Sequence, residues 1–171
     1  AGAEITIHGH ATNGTANAMA QGKIYVAGNI GARGMTMTKY NPRFDPPELW
    51  VLGSVGDYFA EFMAGGIAVV CGHEGQNPDN VLGYRPCVGM VAGKIFFRGP
   101  HGGFSQNDAK LVPIADEDWD WLTANLKVFL ERINQSKLYK KLVKRYQWQL
   151  LEARSPMERG FAARRSMTEF C

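Results

Sequence analysis

The chain has 171 residues, 45% of them hydrophobic and 20% charged, with a formal net charge of +3. No hydrophobic run approaches the length of a bilayer span, and three cysteines (Cys71, Cys87 and Cys171) are too few and too far apart for a zinc or iron–sulfur site. These features lead to the expectation of a cytoplasmic chain with reduced thiols and no membrane contact.

Five short runs of the form apolar-x-apolar-x-Gly punctuate the first part of the chain, ending at Gly9, Gly28, Gly53, Gly72 and Gly99. Successive glycines lie 19, 25, 19 and 27 residues apart, the longer intervals carrying insertions around Lys39–Pro47 and His73–Asn80. Met19, Met63 and Met90 each stand nine residues before one of these glycines, and Gly22, Gly66 and Gly93 each stand six before. The unit is therefore Met-x-x-Gly-x-apolar-x-apolar-x-Gly, and self-similarity at a fixed period is the signature of stacked repeats. The methionines read as packing residues and the glycines as tight turns entered at positive φ.

A repeat of 19 residues is too short for a strand plus a packed helix, so strands and turns must fill it. At about 3.3 Å per extended residue it traces a loop of roughly 60 Å, the size of a β-helix coil. Alternation points Ile24 and Val26, Leu49 and Val51, Ala68 and Val70, and Ile95 and Phe97 inward. Tyr25, Trp50, Val69 and Phe96 then face outward as a column, either as a docking surface or beneath a helix of the same chain. The insertions are rich in Pro, Asn and Gly and read as surface loops.

From about residue 107 the periodic glycines give way to helical spacing, and the chain divides into a repeat part (1–106) and a helical extension with a basic tail (107–171). Asp116 is a candidate N-cap, with Glu117, Asp118 and Asp120 in the first turn and Trp119, Leu122, Leu126, Phe129 and Leu130 on one stripe. Ser136 is placed to cap a second helix through Leu142. The string Gln147 to Leu151 is ambiguous between strand and helix, and Ser155 to Cys171 reads as an extended arm. Between Lys137 and Arg165 there are nine basic residues against two acidic ones. That cluster fits an acidic partner or a solvated helix face; nucleic acid is a further reading, not adopted because no recognised motif accompanies the charge.

Residues able to do chemistry are sparse. His8 and His10 flank Gly9 without a third ligand nearby, His73 and His101 lie in loops, and Asp57 and Glu61 stand alone within their repeat. The spacing Gly28-x-x-Gly31-x-x-Gly34 follows the repeat and has no helix behind it to hold a phosphate. No Ser-His-Asp or Cys-His set is identifiable.

The stretch from Gly53 to Gly66, followed by Ala68 to Gly72, resembles the glycine-repeat (GXGXG) domain of the glutamate synthase large subunit, most closely its stand-alone, archaeal-type version. The same domain occurs in one subunit of formylmethanofuran dehydrogenase and in a subunit of N-methylglutamate synthase. The resemblance implies a mostly β protein, a single-stranded right-handed parallel β-helix followed by short C-terminal helices. It also implies a non-catalytic, structural role in a multi-subunit amidotransferase or oxidoreductase, with no catalytic, cofactor or metal residues in this chain. FMN, iron–sulfur clusters and NAD(P)H are then expected in glutaminase-like and synthase-like partner subunits. Complexes of the other two kinds, an autonomous hydrolase or lyase and a free-standing binding module for an acidic partner are the alternatives. The docking surfaces expected are the loop with Tyr40, Arg43 and Phe44, the column Tyr25, Trp50 and Phe96, and the basic tail around Arg159, Arg164 and Arg165. The chain opens directly in a repeat without an initial methionine, which raises the expectation of an N-terminal portion outside it.

Overall fold

The computed structural model describes residues 2–160; Arg164, Arg165 and Cys171 therefore lie outside the described residues. Each glycine-terminated run forms one strand: β1 (Glu4–Ile7), β2 (Lys23–Val26), β3 (Glu48–Val51), β4 (Ala64–Val70) and β5 (Ala92–Arg98). They are followed by β6 (Ala109–Val112), α1 (Asp116–Arg132), a 3₁₀ turn (Ser136–Leu138) running into α2 (Tyr139–Leu142), and β7 (Trp148–Ala153). The seven strands make one sheet in the order β1-β2-β3-β4-β5-β7-β6. β1 to β5 pair in parallel, one repeat apart, so that Tyr25 lies beside Trp50 and Trp50 beside Val69. β7 then runs antiparallel to both β5 and β6.

This corrects the expected parallel β-helix. Each repeat supplies a single strand rather than a ring of them, and the strands lie in one open, mixed sheet whose last two members come from the C-terminal part. Beyond its strand each repeat is turn, because alternate residues there hold left-handed backbone: Ala16 and Ala18, then Arg33, Met35 and Met37, then Tyr58, Ala60 and Phe62, then Arg85 and Cys87. Such residues cannot continue a pleated strand. None is β-branched, the class for which positive φ is costliest.

The turns nonetheless stack as regularly as the strands. Gly14 and Ala18 donate to the carbonyls of Ala32 and Thr36 at 2.9 Å, while Met35 donates back to Thr15 at 2.9 Å. Arg33 N–H reaches Asp57 at 2.8 Å, Ala60 reaches Gly34 at 2.9 Å, and Tyr58, Phe62 and Cys87 carry the pattern to the next layer. Sheet and turn wall enclose a core in which Val26, Leu49, Val51, Ala68, Val70, Ile95 and Phe97 meet Met35, Phe59, Ala60, Met63, Cys87 and Met90. Met63 and Met90 are fully buried there, and Met19 packs half-buried at the first layer.

The glycine beat has a different cause from the one expected. Gly72 (φ +58°) and Gly99 (φ +122°) do sit at positive φ, but Gly9, Gly28 and Gly53 do not. A side chain at Gly28 or Gly53 is excluded instead by the preceding repeat. A Cβ on Gly28 would lie 2.9 Å from Gly9 O, and one on Gly53 would collide with Asn29 Oδ1 and lie 3.1 Å from Gly28 O. Close approach of backbone to backbone selects glycine here as firmly as φ does elsewhere.

The other face of the sheet is closed by α1. Its first turn carries Asp116, Glu117 and Asp118, where anions favour the helix dipole, but Asp116 is the first helical residue and Ala115 the cap. Leu122, Leu126, Phe129 and Leu130 are buried against the sheet, as the stripe predicts. Ser136 makes no capping bond, and the second helix is only Tyr139–Leu142. The ambiguous segment resolves as strand β7, because Leu150 and Leu151 bury on opposite faces of the sheet. The expected extended arm is also corrected: 156–160 is helical, opened by Ser155 and Glu158 as a reciprocal cap, with Ser155 N–H donating to Glu158 Oε2 at 2.7 Å and Pro156 following the cap.

Replacing Gly53 with Val is expected to cost more than about 1 kcal/mol, because the new side chain displaces Asn29 and the layer beneath. Met63→Leu, a volume-conserving change, is expected to cost less than about 1.5 kcal/mol. Urea denaturation of the two variants checks this, and equal losses would contradict the close-approach account.

Candidate functional site

The column Tyr25, Trp50 and Phe96 faces away from the core, and α1 covers it. Trp50 is fully buried, its ring 5.5 Å from Phe129 and 5.7 Å from Trp121. Tyr25 stacks on Phe129 at 5.8 Å and Phe96 on Trp121 at 5.8 Å. Burial, with Glu4 and Glu48 nearby, pushes the Tyr25 hydroxyl up to about 12. Trp50 Nε1 donates to the buried Glu48 carboxylate at 2.9 Å. These residues hold the helix on the sheet and are not a free docking surface, which corrects that expectation.

The turn wall presents the surface that the column does not. Because left-handed residues recur at the repeat offsets, their outward side chains fall into register. Met37 and Phe62 occupy one position in successive layers, and Arg33, Tyr58 and Arg85 another. Met37, Phe62 and neighbouring Tyr84 are each more than half exposed. Arg33 lies 5.1 Å over the Tyr58 ring and pairs with Glu61 at 2.6 Å, and Tyr58 meets Tyr84 edge to face at 6.1 Å. In the following layer Gly89 leaves room for the Phe62 ring, which a Cβ there would strike. The aromatic groups are thus held by contacts of their own.

The wall's edge is stapled by a polar ladder. His10 Nδ1 accepts from Asn29 N–H at 2.9 Å, and Asn29 Oδ1 accepts from Ser54 N–H and Gln76 N–H, both at 2.9 Å. Ser54 Oγ accepts from Asn77 N–H at 3.1 Å, and Asp57 Oδ1 from Tyr84 N–H at 2.9 Å. His10, Asp57 and Glu61, acid–base candidates by residue type, are therefore engaged in joining layers.

Of the other candidates, His8 is exposed, and the remaining described histidines and cysteines are held by packing. His73 is held below its usual range by burial. His101 packs edge-on to Phe97 at 5.4 Å. Cys71 and Cys87 are buried, and desolvation pushes both thiols up to about 12, out of the range of reactive thiolates. Among the described residues no three or more His, Cys, Asp or Glu side chains gather to hold a metal, and no described hydrogen bond joins a serine or cysteine to a histidine. No helix of the described residues is long and apolar enough to cross a membrane.

Tyr40, Arg43 and Phe44 of the first insertion are exposed, and Arg43 and Phe44 line an open groove of about 580 Å³ with Glu4 and Lys23. Arg159 is turned inward. Its guanidinium donates to Met90 O and lies 3.9 Å from Asp108, while Arg154 Nε donates to Gln106 O at 2.7 Å and Lys110 pairs with Glu158. The start of the basic tail is thereby tied to the fifth repeat. The outward wall leaves no strand-like pattern in the sequence, yet the repeat offset of 25 relates Met37 to Phe62 and Arg33 to Tyr58, and 27 relates Tyr58 to Arg85, a register that the chain does carry.

The Lys110 hydrogen bond and the Ser155 N–H hold Glu158 down to about 2 from an ordinary value near 4.5. A depressed acid stabilises the fold above its unfolded value and loses that contribution as pH falls through the folded one. The tether of 154–160 is therefore expected to loosen between about pH 4.5 and 2. Limited proteolysis of this segment by an acid protease across that window checks it, and Glu158→Gln should weaken the pH dependence of the cleavage there relative to wild type.

A model of the GXGXG motif family matches residues 2–152. No curated protein matches the chain.

Proposed function

The chain belongs to the GXGXG motif family, a domain type found in glutamate synthase and related multi-subunit enzymes, and we propose that it acts as a non-catalytic structural subunit of such a complex. The complex is a glutamate-synthase-like amidotransferase or oxidoreductase. Glutaminase-like and synthase-like partners bring FMN, iron–sulfur clusters and the nicotinamide site. The observation that carries this reading is the allocation of side chains. His10, Asp57 and Glu61 are spent on joining layers, whereas large apolar groups are held exposed on a backbone that costs about 1 kcal/mol per left-handed residue. Exposed aromatic and methionine side chains on a rigid frame are suited to a protein partner's apolar groove. The Tyr40 to Pro47 loop belongs to the second repeat interval and adds a second contact.

The protein isolated under native conditions from its host is expected to migrate with partner subunits in fixed stoichiometry on native mass spectrometry. Met37→Glu combined with Tyr84→Glu should reduce that association at least about tenfold while lowering the melting temperature by only about a few degrees, since both side chains are more than half exposed and Tyr84 gives up a single ring contact with Tyr58. Recovery of the wild-type chain as a lone monomer, or turnover of saccharides or esters by the isolated chain, would sink the reading.

A further inference from the structure

The last turn of the wall is closed by a loop of the same chain, and the closure is partial. In each earlier turn three amides donate upward to carbonyls of the next. Ile30, Arg33 and Met37 do this from the second turn, and from the third Val55, Tyr58 and Phe62 reach Val81, Tyr84 and Val88 at 3.0, 2.8 and 2.8 Å. The repeat offset of 27 places the corresponding donors of the last turn at Leu82, Arg85 and Gly89. Arg85 holds φ +51°, close to the +57° of Tyr58, so its N–H points upward as the Tyr58 N–H does.

Loop 99–108 lies over that turn in place of a further layer. It is anchored at one side where Val81 N–H donates to Pro100 O at 2.9 Å. At the other side Ser105 N–H donates to Pro86 O at 3.0 Å, and Asp108 Oδ2 accepts from Gly89 N–H at 2.9 Å. Between these anchors the loop steps over Leu82 and Arg85, whose amides have no acceptor among the described residues. Leu82 is fully buried, and a buried amide without a partner is rare.

The space under the loop is a cleft of about 330 Å³, within the range of small-molecule sites. Tyr84, Val88 and Phe104 give it apolar walls, and Asn80, Arg85 and Ser105 its polar groups. Both rings are held from behind, Tyr84 by Tyr58 at 6.1 Å and Phe104 by His101 at 5.8 Å. No described acidic side chain lines the cleft, and none of the described ion pairs engages Arg85. Asp57, one layer below, is taken by Tyr84 N–H at 2.9 Å.

We propose that this cleft binds a small carboxylate with an apolar body. Its carboxylate accepts from the Arg85 amide and guanidinium, in place of the carbonyl that a further layer would supply, and its body lies between Tyr84, Val88 and Phe104. A cation finds no counter-charge there, and a bare inorganic anion leaves the apolar walls unused. Charge-assisted bonds to a guanidinium and a fixed backbone amide are the stronger kind, and an amide set by the turn needs no reordering to make one.

The probe is phenylacetate, titrated into the full chain and followed by two-dimensional amide NMR. The Arg85 and Gly103 peaks are expected to shift together and saturate, with a Kd below about 10 mM. Phenylacetamide, of the same shape without the charge, and inorganic phosphate, without the apolar body, should each bind at least about tenfold more weakly. Arg85→Gln should weaken phenylacetate at least about tenfold, while its melting temperature stays within about a few degrees of wild type because the side chain is exposed. Shifts that do not saturate, equal binding of phenylacetamide or phosphate, or unchanged affinity in Arg85→Gln would each overturn the proposal. So would protection of the Arg85 amide from hydrogen exchange without phenylacetate, since the chain itself would then supply the acceptor. None of these outcomes bears on co-purification of partner subunits, so this site and the proposed assembly fail separately.

Discussion

Backbone approaching backbone at Gly28, Gly53 and Gly72 is the constraint on which the rest of this molecule depends. Where successive repeats touch, there is no volume for a Cβ, so the carbonyl of Gly28 can accept from Gly53 N–H at 3.0 Å and that of Gly53 from Gly72 N–H at 3.0 Å. Those contacts fix the register of the strands above them and of the turns beyond. Once the register is set, Leu49 must lie beside Ala68 and Val51 beside Val70, and the core fills in layers. A slip of one residue would turn each inward side chain out. The insertions at 39–47 and 73–80 lengthen two repeats without disturbing this, because they leave the stack as loops and return to it in register.

The two faces of the sheet have been put to different uses. The inner face packs against the turn wall, and the outer face carries the aromatic column that α1 covers through Phe129 and Trp121. A sheet with both faces buried reads as a near-continuous apolar run, as β3 does with all four residues buried. The helix thereby removes from solvent the surface that would otherwise be the stickiest on the molecule. The wall remains outward, displaying Met37, Phe62 and Tyr84, while its polar side chains are consumed in layer-to-layer bonds.

Much of this was legible in the residues. The glycine offsets gave the five repeating strands, the alternation gave the inward and outward sets, and the acidic first turn with its leucine stripe gave α1. Two things were not. The closed β-helix expected from the repeat gave way to one open sheet, since a period of 19 residues does not say how many strands a repeat contains, and the alternating left-handed backbone leaves only a vague sequence trace, the lack of Val, Ile and Thr at those positions. The strand β6 is four residues with a lysine in the middle, too short for a periodic signal, and β7 declares itself only when β5 offers an edge. The helix at 156–160 did carry a readable sign, Ser155-Pro156-Met157-Glu158, which is a capping box with proline at the first helical position.

The central claim is that one register locks strands and turns into a single frame, so that the wall is as firmly built as the sheet although it contains no strand. Amide hydrogen exchange tests this most directly. The amides of Met35, Ala60 and Cys87 are expected to exchange within about tenfold of the amides of β3 and β4, because they open only when the stack opens. Exchange at the rate of the free loop at 39–47 would contradict the account, leaving a sheet with ordinary loops and no common frame.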